Sequence, residues 1–316
     1  MDPNVGSSMA RMSTSVRRGL LSMAVILPIA ACELGGATHG STATSVQEVW
    51  IKSRGARLGA TLYLPGARGP SPGVVIIHGS GRLTADDVAR GVAPRLTPMG
   101  LAVLAYDKRG VGRSEGQYSG IGPANSDSMF DLLAADALAG VEFLKSRPEI
   151  DQSRIGLFGY SQAGWIAPLA ASRSSDVRFV ILISGPAVTV GEENAYSDLA
   201  GADPGSRQGL SDAEIEREFA AFKGPHGYNP DAAIRSMPVP SLWLLGAKDR
   251  SIPVHRTIEN LERIRAESSR PISIHVFPDV DHSMRNPGTG EWTDYWPVVA
   301  TWLQKEHLLK TSNEKR

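Results

Sequence analysis

The 316-residue chain holds one cysteine, Cys32, so no intrachain disulfide can form. It also lacks a charge excess. Thirty-three Lys and Arg balance 33 Asp and Glu, which argues against a nucleic-acid binder, whose affinity rests on many phosphate contacts. Internal repeats are missing, which excludes a solenoid or propeller. No His/Cys group has zinc-ligand spacing, and the glycines at 110, 112 and 116 miss the dinucleotide fingerprint by one position. No metal or cofactor is therefore expected. What the chain does have is 41% apolar residues, enough for a sizeable core and inconsistent with global disorder. Its length fits one large α/β domain or two small ones.

The longest apolar run, "GLLSMAVILPIAA" after Arg17 and Arg18, is short for a membrane span. A basic start, an apolar core and small residues describe a secretory signal over residues 1–32. Met9 and Met12 are alternative natural starts. The last four residues, "IAAC" (Ile29–Cys32), resemble a bacterial lipobox. That resemblance implies export and a lipid anchor at Cys32 holding the protein to the cell envelope. Cleavage beside a chance cysteine is the alternative. "ELGGATHGSTATS" follows, a small, polar, glycine-rich tether over 33–45 in which His39 is inert.

From Val46 to the C-terminus the pattern is that of an α/β domain. "VQEVWIKS" and "RLGATLYLP" form a hairpin about Arg54-Gly55. "GVVIIHG", "LAVLAYD", "RIGLFGY", "RFVILISG", "SLWLLGAKD" and "PISIHVFPD" are apolar runs of the kind buried on both faces of a parallel sheet. Helical stretches lie between them. The clearest follows Asp127, a plausible cap, with Phe130, Leu133, Ala134, Ala137, Leu138, Val141 and Leu144 on one face. Others are expected over 87–96, 162–172, 254–266 and 296–308. This alternation predicts a mostly parallel central sheet with helices on both faces. Between Val188 and Pro238 it stops, and "SDAEIEREFAAFKG" reads as an amphipathic helix. A small helical cap over the site, about 189–238, is expected there; a loop excursion packed at the side is the alternative.

Reactive groups in such sheets gather at the carboxyl ends of strands. Gly159-x-Ser161 stands between a buried strand and a helix, the setting of a nucleophile elbow. Glycine at 159 avoids a collision across the bend, and Ala163 is small enough for the second flanking position. A serine needs a base and a carboxylate to orient it. Asp249 and His282 each follow an apolar strand, in the order this architecture uses. His78, His226, His255, His275 and His307 are weaker candidates for the base, and Asp279 and Asp281 weaker ones for the acid. An oxyanion hole is expected from the backbone N–H groups of Gln162 and Ser80, with Gly81 next in line. His78 holds that loop by hydrogen bonds.

"HGSG", "YDKRGVGRSEG", "GYSQAG", "GAKDRSIP" and "DVDHSM", in that order and in those settings, resemble the α/β-hydrolase family. Within it the chain is similar to serine esterases related to dienelactone hydrolases and to the catalytic domains of prolyl oligopeptidases. The resemblance implies an α/β-hydrolase fold and cofactor-free hydrolysis of a small carboxylic ester through an acyl-enzyme. Ala163 departs from the family's usual glycine. Lys108, Arg109 and Arg113 stand in a loop that is mainly structural in the family, a substrate-anion clamp being the alternative. A thioesterase or acyltransferase would keep the same triad, and a lipid-tethered binding protein could keep the fold without the chemistry.

Overall fold

A computed structural model describes residues 45–66, 69–202 and 205–309. The expected signal, the lipobox-like Cys32 and nearly all of the tether lie outside the described residues. The last tether position, Ser45, already belongs to the first strand.

Eight strands form one sheet. They are β1 (Ser45–Ser53), β2 (Ala56–Leu64), β3 (Ser71–Ile77), β4 (Ala102–Tyr106), β5 (Ile150–Tyr160), β6 (Phe179–Ile183), β7 (Ser241–Gly246) and β8 (Ile272–Phe277), in the spatial order β1-β2-β4-β3-β5-β6-β7-β8. The β1–β2 and β2–β4 pairs are antiparallel, and every later pair is parallel. The hairpin turns at Arg54 and Gly55, both at positive φ, the backbone that a two-residue primed turn requires.

The parallel strands alternate between two cores. Val75, Ile77, Leu157 and Trp243 face one cluster, with α3 (Ser126–Lys145), α4 (Ala163–Ala171), α7 (Asp231–Ser236) and α8 (Val254–Ser268) packed on it. Val74, Ile76, Phe158 and Leu244 face the other, covered by α1 (Ala85–Ala89), α2 (Ala93–Leu96) and α9 (Trp296–Lys305). Period-two alternation thus continues inside strands that look uniformly apolar, because both faces are buried. The fold is that of an α/β-hydrolase.

Among the expected boundaries, these differ. The single helix expected over 87–96 is two short ones, because Pro94 lacks an N–H and starts a new helix at Ala93. Asp127 lies in the first turn of α3, where an anion favours the helix dipole; the flanking residue is Asn125. The strand expected from Arg154 begins at Ile150, with an irregular register against Ser71 and Gly73.

Between β6 and β7 lie α5 (Val190–Ala200), α6 (Asp212–Ala220) and α7. Capping boxes Thr189/Glu192 and Ser211/Glu214 start the first two. They share a small core of Leu199, Ala200, Ile215 and Phe219. The Tyr196 hydroxyl donates to the Asp249 carbonyl at 3.4 Å and Arg250 Nε to the Ala200 carbonyl at 2.5 Å. These bonds set α5 against the loop after β7.

Candidate active site

Ser161 follows the last residue of β5 and adopts φ +50°, a strained conformation for a non-glycine residue that persists only where its surroundings over-determine it. Its N–H donates to the Ile183 carbonyl at 2.9 Å, and its carbonyl accepts from the Gly164 N–H at 2.8 Å. The turn also depends on missing side chains. A methyl on Gly159 would lie 2.3 Å from the Ala163 methyl, and one on Gly164 would lie 2.7 Å from Pro186 Cδ. Alanine at 163 therefore fits only because 159 is bare.

His282 brings two distant elements to this hydroxyl. Its Nε2 lies 3.0 Å from Ser161 Oγ, and its Nδ1 lies 2.7 Å from Asp249 Oδ2. With the Nδ1 proton donated to the carboxylate, Nε2 is left as the acceptor for the serine hydroxyl. The Asp249 side chain is fully buried, and a quarter of His282 is exposed. Asp249 Oδ1 accepts from the Ser251 and Ile252 N–H groups at 2.7 and 3.0 Å, so both carboxylate oxygens are committed. The two loops are fastened together. Lys248 N–H donates to the Val280 carbonyl at 2.8 Å, and Gly246 lets that carbonyl approach to where a Cβ would stand only 2.3 Å away. Burial pulls the His282 pKa down, but the charge and hydrogen bond of Asp249, with Glu193 and Asp281 behind, outweigh it and raise the imidazole above its ordinary 6.5.

The loop after β3 runs beside the nucleophile. A methyl on Gly79 would lie 3.6 Å from Ser161 Cβ. Among the described residues, the backbone N–H groups of Ser80 and Gln162 have no protein acceptor, as donors reserved for an anion must. The Gly81 N–H instead faces the Tyr118 hydroxyl. His78 is buried and its Nε2 donates to the Tyr106 carbonyl at 2.5 Å. Burial and the Lys108 charge push its pKa down to about 3, keeping it neutral.

The other candidates lie elsewhere. His275 is an exposed residue of β8, edge-on to Phe277. His255 is exposed on α8, His226 bonds Thr189, and His307 is exposed just past α9. Asp279 is exposed, and Asp281 Oδ1 accepts from the N–H groups of Ser283 and Arg285. Of the three cations of the loop after β4, Lys108 and Arg109 are buried and Arg113 is exposed. Arg109 pairs with buried Asp136, Arg113 Nε meets Asp107 Oδ2 at 3.0 Å, and Lys108 is 1% exposed. All three are thus held by partners within the protein.

One site residue, Ser184, is not signalled as such by the sequence. Ser184, at φ +50° where β6 ends, donates to the His282 carbonyl at 2.9 Å. Its only signal was a polar residue followed by glycine at a strand's carboxyl end. Lys108, expected in a mainly structural loop, donates to carbonyls of the loop after β3.

Residues 69–205 match the family of serine aminopeptidases S33, and residues 139–290 match the C-terminal domain of BAAT and acyl-CoA thioester hydrolases. The chain is 30% identical to acyl-coenzyme A thioesterase 1 of Mus musculus over 83% of its own length and 58% of the relative's. It is 25% identical to esterase EstD of Thermotoga maritima over 79% of its length and 62% of the relative's. It thus spans less than two thirds of either. Among solved structures it superposes on the Pyrococcus furiosus esterase Pf2001 with a TM-score of 0.61 at 20% identity, over 86% of this chain and 97% of that one.

Proposed function

The chain belongs to the α/β-hydrolase superfamily, by its fold and by the family models it matches, and on that premise we propose that it is a serine hydrolase cleaving carboxylic esters through an acyl-enzyme. The observation that carries this is the continuous contact from Ser161 Oγ through His282 to Asp249, at 3.0 and 2.7 Å, on a serine held at φ +50°.

His282 Nε2 takes the hydroxyl proton as Ser161 Oγ attacks the ester carbonyl. The Ser80 and Gln162 N–H groups receive the negative oxygen of the tetrahedral intermediate. As the intermediate collapses, the bond to the leaving alcohol breaks and His282 gives it the proton. Water then repeats the sequence on the acyl-enzyme, releasing the acid and restoring Ser161. Asp249 orients His282 and stabilises its charged form.

A second substrate class has specific support. The match to acyl-CoA thioester hydrolases and the 30% identity to a thioesterase favour thioesters on the same triad. Turnover of p-nitrophenyl butyrate and of butyryl-coenzyme A, compared in the wild type, S161A and H282A, tests both. Turnover of either substrate that both substitutions abolish supports the hydrolase, and the ratio of the two kcat/KM values assigns the class. Neither substrate turned over, with no labelling of Ser161 by a phosphonate, would leave a binding protein on a hydrolase fold. Export and anchoring through Cys32 belong to the same proposal on the strength of "IAAC" alone. Expressed in a bacterium, the wild type should partition into detergent and C32A should not; equal partitioning would reject the anchor.

A further inference from the structure

Lys108 stands two residues beyond the end of β4 and its side chain is 1% exposed. Taking an ammonium out of water costs several kcal/mol, and a buried cation normally has a carboxylate beside it. Lys108 has none within ion-pair distance among the described residues. Its partners are neutral: the Gly79 carbonyl at 2.6 Å, the Gly81 carbonyl at 2.9 Å, Gln162 Oε1 at 3.3 Å and the face of the Tyr118 ring at 4.3 Å. Burial pushes its pKa down to about 7.

Each of those acceptors adjoins an expected oxyanion donor. The Gly79 carbonyl and the Ser80 N–H belong to one peptide plane, and in a trans peptide they point in opposite directions. Holding the carbonyl toward the interior therefore turns the Ser80 N–H outward, to the side where Gly79 neighbours Ser161. The Gly81 carbonyl fixes the far side of the same residue pair. Gln162 Oε1 belongs to the residue whose backbone supplies the second donor, and its Nε2 reaches Ser80 Oγ at 3.4 Å. Three bonds from one nitrogen thus join the two halves of the hole. A cation behind the Gly79 carbonyl also polarises that peptide, strengthening its N–H as a donor.

Resting on the hydrolase reading above, we infer that Lys108 is the positioning residue of the oxyanion hole, orienting the Ser80 N–H and coupling it to Gln162. It touches no substrate and acts through the Gly79 peptide. The positive charge also favours the negative oxygen that develops beyond that peptide. This gives a reason for an ammonium where a neutral donor would be less costly to bury.

The test is K108M, read on p-nitrophenyl butyrate and on 1-butaneboronic acid, which forms a tetrahedral adduct with a serine. Thermal unfolding establishes that the variant folds. The expected result is a kcat lower by on the order of 10²-fold, the loss seen when one oxyanion donor is removed, with KM within threefold. The boronate Ki should rise along with the fall in kcat, because both depend on the hole. A side chain that served only packing would lower the unfolding temperature and leave kcat and the boronate Ki within threefold, and that result overturns the inference. If K108M does not fold, Q162M decides. It keeps Lys108 and both backbone donors but cuts the link, and kcat should fall about tenfold with KM held; an unchanged kcat there overturns the inference too. Wild-type protein that turns over neither oxyester nor thioester removes the hydrolase reading and this inference together. Wild-type turnover with unchanged variants removes the inference alone.

Discussion

The methyl of Ala163 and the bare Cα of Gly159 share one small volume at the turn that carries Ser161, since a Cβ at 159 would stand 2.3 Å from it. Gly159→Ala should therefore destabilise the protein by about 1–3 kcal/mol, as overpacking does, and should disturb Ser161 as well. Adding Ala163→Gly should restore much of the loss, because it removes the colliding methyl. Urea melts and esterase rates of the two single variants and the double variant check this; a double variant no better than G159A would mean that another contact dominates. The same scale governs the imidazole. Asp249 raises its pKa and fixes its tautomer. Asp249→Asn should lower kcat by about 10³–10⁴-fold, the cost of a wrongly presented imidazole. Any residual pH limb should move acidward, because the charge that raised it is gone. Kinetics of D249N across pH 4–9 measure both, and a loss under tenfold would assign the acid's role elsewhere.

Elements carry these side chains to one place, and the connections between elements are where substitutions travel. Arg109, beyond β4, reaches α3 through Asp136 and the β1–β2 hairpin through the Ser53 carbonyl at 3.0 Å. Burial, against the opposing pull of Arg109, already raises the Asp136 pKa from its ordinary value. Arg109→Met would leave that carboxyl buried and unpaired, a change worth about 3–5 kcal/mol. The sign with pH follows. A raised native pKa means that the folded state takes up a proton the unfolded state releases, so the loss should be greater at pH 8 than at pH 5. Urea unfolding at the two pH values tests it, and an equal loss at both would show that Asp136 stays ionised or finds another partner. The elements were legible where local pattern and tertiary environment agree. The central strands β3, β4, β6 and β7 show as apolar runs because both of their faces are covered, and α6 shows its cap at Ser211. The break between α1 and α2 has no signal in the apolar period, which runs on through Pro94.

Over the whole molecule, the candidate site could be read because each member stands beyond the carboxyl end of a strand, where chain order and strand order restrict what can meet. Ser161, Asp249 and His282 come from three such ends. The partners of Lys108 could not be read, because burial of a cation is decided by its neighbours in space. "DKRG" marks a structural loop, but which backbone it holds shows only when the loop after β3 is laid beside it. The positive φ of Ser184 is equally a property of the assembled sheet. At this scale the pH dependence of turnover reports the site as a unit. Catalysis needs neutral His282, whose pKa lies above 6.5, so kcat/KM should fall with acidity along a limb whose midpoint is above that value. A profile flat down to pH 4 would exclude His282 as the base.

One experiment addresses the convergence of the three side chains most directly. The purified protein is treated with a fluorophosphonate, and the adduct is located by peptide mass spectrometry in the wild type and in H282A. A single adduct on Ser161, formed at least a hundredfold more slowly without the imidazole, is the expected result; no adduct, an adduct on another serine, or an equal rate in H282A would contradict it.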